Sequence, residues 1–121
     1  MSQKQYTELE VAEYILELLM IYKKWPGLYL GGPDDAAFAG AWVTFFHMVS
    51  FLGYPDVFPR HSPITEEVFT EHGWSSITPL SAMREAGLGK EEIFYEWIDI
   101  EIEALKRRIS SMRDKKGNTE A

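Results

Sequence analysis

The sequence predicts an all-α fold, a single-domain bundle of about five helices around a buried central helix at 36–52, and three features predict it. The stretch 36–52 carries no charged residue and holds five large rings, Phe38, Trp42, Phe45, Phe46 and Phe51. The segments near the start and the end of the chain repeat their apolar residues at the 3.6-residue helical period. Between them, three helix stops share one device, a glycine followed at once by a large apolar residue.

The first helix opens at Thr7, which with Glu10 three residues later makes a capping-box pattern ahead of an apolar run. Glu10, Glu13, Glu17 and Lys24 then fall on one side, and Val11, Ile15, Leu18 and Tyr22 on the other. The helix ends near Trp25, before Pro26 and Gly27. The connector GLYLGGP is no phosphate loop, because Asp34 and Asp35 follow it where a lysine and a hydroxyl are needed. Those acids suit the first turn of the central helix, with Pro33 at its opening position. Gly40, Thr44, His47 and Ser50 interrupt that helix. Its 17 residues fall short of the roughly 20 apolar residues a membrane span needs. A helix so apolar on every side has to be wrapped by others.

The three glycine stops are Gly53 before Tyr54, Gly73 before Trp74 and Gly87 before Leu88. Two starts match them, Ser62 before Pro63 and Thr78 before Pro79, giving short helices at 63–72 and 79–86. In YPDVFPRHS, Pro55 and Pro59 exclude regular structure and Phe58 plugs into the core. A short strand at 74–79, WSSITP, would turn the class to α+β. The last helix runs over about 90–112; its WIDIEIE alternation imitates a strand, but the flanking spacing stays at 3.6. The domain therefore spans 1–113, and the polar tail at 114–121 is expected to be disordered. There is no internal repeat.

A chain of 121 residues buries roughly two-thirds of its unfolded surface as one domain. The absence of cysteine excludes disulfides, thiolate metal sites and cysteine nucleophiles. The polar start MSQKQYTE has no secretory pattern, so a cytoplasmic location is expected. The net charge is −7, unevenly spread. Over 63–105 ten carboxylates face only Arg84 and Lys90, a net of −8, while from Lys106 onward the sign reverses. Such a surface disfavours nucleic acid and attracts a basic protein.

On a helical wheel Glu92, Glu96, Asp99 and Glu103 share a narrow arc of the last helix. With Glu66, Glu67, Glu71 and Trp74 they form the expected partner-binding face. The apolar arc of the same helix is wide, about 200°, roughly twice what one core-facing side needs. Either it is clamped between two layers or it leaves surface for a second copy of the chain. Glu101 sits in mid-arc, and Arg108 lies two turns on. A carboxylate there needs a donor such as Arg108, His47, a tyrosine hydroxyl or a helix end; otherwise it is a proton-handling group or a specificity contact in an interface. His47, with Gly40, Thr44 and Ser50, lines a weakly polar stripe on the central helix. These three, Glu101, His47 and Arg108, are the buried polar candidates.

No metal or cofactor is expected. His61, Glu67, Glu71 and His72 match no ligand spacing, and Ser62, Ser75, Ser76 and Ser81 lack a nucleophile context. Trp25, Trp42, Trp74 and Trp97 read as core or interface anchors. The function expected on these grounds is an acidic protein-binding module and not an enzyme. Its concrete form is a bacterial immunity or antitoxin protein that neutralises a basic toxin such as a nuclease. The alternatives are a phage-type inhibitor that imitates DNA, and a small-molecule-binding or catalytic helical domain using Glu101 with His47.

Overall fold

The computed structural model describes residues 6–75 and 77–120, with side chains through residue 115. Among them the fold is all-α, with no strand. Six α-helices follow in order: α1 (Glu8–Lys24), α2 (Pro26–Tyr29), α3 (Asp35–Phe51), α4 (Pro63–Glu71), α5 (Pro79–Glu85) and α6 (Lys90–Glu120). Trp74, Ser75 and Ile77 to Pro79 form no strand; Ser76 lies outside the described residues.

Most helix ends are written by their local sequence. Thr7 closes a reciprocal capping box, its Oγ1 accepting from the Glu10 amide at 3.1 Å and its own amide donating to Glu10 Oε1 at 2.9 Å. Gly53, Gly73 and Gly87 all have positive φ, 92°, 87° and 94°. The amides of Tyr54, Trp74 and Leu88 reach back to the carbonyls of Val49, Phe69 and Met83 at 2.9, 2.9 and 3.1 Å, so each glycine ends its helix in a Schellman turn. Ser62 caps α4 through the Thr65 amide.

Other ends differ from the sequence reading. Asp34, not Pro33, governs the start of α3: its carboxylate accepts from the Ala36 amide at 2.7 Å, leaving the proline one place outside the cap. Thr78 makes no side-chain cap, because at ψ 64° it lacks the extended geometry of Thr7 at ψ 162°. The amides of Ile77 and Thr78 donate instead to Ser75 Oγ. Pro55 opens a short 3-10 helix, Pro55–Val57, where irregular chain is the expectation; proline's fixed φ and missing N–H suit a first helical position. α2 is an added single turn. The last helix, expected to end near Met112, runs on to Glu120. No proline interrupts it, and Arg113 pairs with Glu13 of α1 at 3.0 Å. Ala121 lies outside the described residues.

The centre of the bundle is α6, on which α1, α3, α4 and α5 all pack. Its wide apolar arc is clamped by these helices: Ile93, Phe94, Trp97, Ile98, Ile100, Ile102, Ala104, Leu105 and Ile109 are buried within the chain. α3 takes a different place from the buried centre the sequence suggests. It buries Phe38, Phe45 and Val49 but leaves Val43 and Phe51 in solvent, the latter 91% exposed. Uniform apolarity carries no phase, so it cannot say which side of α3 is covered. Phe38 meets Phe94 and Trp97 edge-on at 5.6 and 4.7 Å, and Phe58 fills the space beside Trp42 and Phe45.

Candidate functional site

The acidic ridge of α6 turns out to be partnered largely from within the chain. Asp99 pairs with Lys23 of α1 at 2.5 Å, and Glu96 meets His72 Nδ1, just past α4, at 2.6 Å. Arg107 gathers the rest: Glu71 binds it through both oxygens at 2.6 and 3.0 Å, Glu103 at 3.1 Å and Glu67 at 3.6 Å. The hydrogen bonds from Arg107 hold the Glu71 carboxyl below its ordinary range, and the same bonds push Arg107 upward. Glu92 accepts from the Gly89 amide at 3.0 Å, helping to open α6. Of the expected binding face, the Glu66 carboxylate is exposed and unpaired among the described residues. Trp74 is half-buried against the core, its indole N–H enclosed and without a hydrogen-bond partner among the described residues. The expected face is therefore largely a set of ties between helices.

A second acidic surface escapes that pairing in part. Between α1 and the end of α3 runs a groove of about 670 Å³ whose apolar lining includes Tyr6, Tyr14, Met48 and Leu52. Glu10, Glu13 and Glu17 line it too, each within one turn of Tyr14 along α1. Glu13 is taken by Arg113, whereas Glu17 is exposed and has no ion-pair partner among the described residues. This groove was not among the residues singled out from sequence. The signal was present, since Tyr14 falls on the face of α1 that carries the glutamates.

The third feature is the carboxylate in mid-arc. Glu101 is 4% exposed, and its Oε2 accepts two indole N–H bonds, from Trp42 at 2.9 Å and Trp97 at 3.0 Å. Its other oxygen accepts none from the described residues. Burial pushes the Glu101 carboxyl above its ordinary range, against the bonds from Trp97 and Trp42 and the charge of Arg108. Arg108, 5% exposed, acts on Glu101 by charge without a hydrogen bond or ion-pair contact. Its Nη2 donates to Thr65 Oγ1, and its Nη1 is enclosed without a hydrogen-bond partner among the described residues. Burial pulls the Arg108 guanidinium below its ordinary range.

His47 does not join this centre, which corrects its place among the buried candidates. It is exposed, as are Gly40, Thr44 and Ser50, because α3 is covered on one side and this stripe is on the other. The ring of His47 stands beside Phe46 at 5.4 Å and makes no bond to Glu101. The two tryptophans that hold Glu101 were passed over as donors; the spacing of four between Trp97 and Glu101 was the available clue.

Among the described residues no group of three or more His, Cys, Asp or Glu could hold a metal ion, and no helix is long and apolar enough to cross a membrane. Comparison of the chain with protein-family models, with curated proteins and with solved structures found no match.

Proposed function

We propose that the chain is a protein-binding module, with no catalytic role of its own, that receives a cationic amphipathic segment of a basic protein in the groove between α1 and α3. One observation carries the reading: exposed apolar side chains, Tyr14 and Leu52 with the neighbouring Phe51, lie beside glutamates on a chain of net charge −7. Large rings beside a polar rim supply binding energy once water is excluded, and the negative field supplies steering. In its finer form the proposal is a cytoplasmic bacterial inhibitor of the immunity or antitoxin kind, set against a basic toxin such as a nuclease.

The alternatives have less support. A DNA mimic needs carboxylates standing free where phosphates would, and on α6 Glu96, Asp99 and Glu103 are engaged by His72, Lys23 and Arg107. A catalytic Glu101 with His47 needs the two side by side, and they are apart.

The test is capture from a lysate of the source organism at low and high salt, using the wild-type chain, Tyr14→Ala and Glu17→Lys as baits. A basic protein held by the wild type, released by high salt and lost from both variants is the expected result. Equal retention on all three baits would remove the groove from the proposal.

A further inference from the structure

A cleft of about 340 Å³ lies where α3, α4, α5 and α6 meet, independent of the α1–α3 groove. Its apolar walls include Trp42, Trp97, Phe69 and Leu80, and it has one charged group of each sign, Glu101 and Arg60. Glu101 is the inner end, and the oxygen not used by the indoles has no donor among the described residues. Arg60 is the exposed end. It stands over the Phe46 ring at 5.6 Å, and no carboxylate among the described residues pairs with it. A guanidinium with no carboxylate partner among the described residues and a Glu101 oxygen with no donor among them line one concave space and leave two complementary valences open in it.

Charge decides what fits. A plain cation would meet Glu101 but also Arg60, and Arg108 already acts on the Glu101 charge. A plain anion would meet Arg60 but leave the Glu101 oxygen unbonded and repel it. A molecule carrying both an ammonium and a carboxylate on an apolar body answers both ends and the aromatic walls. The volume is at the low end of the roughly 300–1,000 Å³ typical of ligand pockets, which suits something of amino-acid size. We propose that this cleft binds a small zwitterionic amino acid with an apolar or aromatic side chain, its ammonium donating to Glu101 and its carboxylate received by Arg60.

The test is a calorimetric titration of the full chain with L-tryptophan and L-leucine, beside tryptamine, which lacks the carboxylate, and indole-3-propionate, which lacks the amine. At least one amino acid is expected to bind, and each one-charge analogue more weakly than L-tryptophan by about tenfold, the effect of losing one charge-assisted bond. Glu101→Gln keeps the side-chain shape and is expected to weaken the amino acids and tryptamine while sparing indole-3-propionate. Arg60→Ala, at an exposed position that leaves the core intact, is expected to weaken the amino acids and indole-3-propionate while sparing tryptamine. Tryptamine binding as tightly as L-tryptophan would overturn the proposal, as would absence of binding by either amino acid at millimolar concentration. Affinities unmoved by both variants would place the ligand elsewhere and overturn it equally.

Discussion

Glu101 shows what a residue can and cannot announce. Its position in the middle of an apolar arc is visible in the sequence, and so is the need for a donor. Which donors arrive is decided by the helix that lies across it, and a wheel drawn for one helix contains nothing about its neighbour. Trp42 comes from α3, 59 positions away. The indoles make a testable difference. Trp97→Phe keeps most of the ring and removes one N–H bond to Glu101, and it is expected to destabilise the fold by roughly 1–3 kcal/mol, the range for taking a donor from a buried acceptor. Urea denaturation near neutral pH measures this.

The pH dependence at this residue has a definite sign. The Glu101 carboxyl is raised in the folded chain above its ordinary value of 4.5, so folding favours its protonated form. Its contribution is fully present below that value and is lost as pH rises through the folded one. Denaturation of the wild type and Glu101→Gln across this window is expected to show wild-type stability falling relative to the variant as pH rises. Glu71, lowered by Arg107, works the other way: its contribution is present above its ordinary value and lost as pH falls.

At the scale of elements, the sequence is most informative at helix ends, because caps are local chemistry. The capping box at Thr7 and the glycine turns after α3, α4 and α5 need only four or five neighbouring residues. Thr78 marks the limit, since its hydroxyl and the following proline look like a cap while its backbone does not adopt one. The pair makes a direct comparison. Thr7→Ala is expected to cost about 1 kcal/mol and Thr78→Ala far less, measured by the shift in denaturation midpoint. The side of α3 that is covered was not legible, for its apolar residues surround the axis. The covered side is set by α6 and the 3-10 segment, through contacts distant in sequence.

For the whole molecule, length and periodicity of the last segment were enough to give the class but not the centre. A helix with an arc as wide as that of α6 accepts neighbours on several sides, and it takes four. Charge is divided between two tasks. Carboxylates on α4 and α6 are drawn into contacts with Lys23, His72 and Arg107 that tie the bundle together, so their count in the sequence overstates what a partner meets. Those lining the α1–α3 groove lie beside exposed rings, with Glu17 free of any ion pair among the described residues. The most direct measurement is carboxyl footprinting of the chain alone and saturated with the basic protein it captures, with labelling read at Glu17, Glu66 and Glu92. Loss of labelling at Glu17, with Glu66 and Glu92 unchanged, is the expected result. Protection of Glu66 and Glu92, with Glu17 still reactive, would contradict it and return the binding face to α4 and α6.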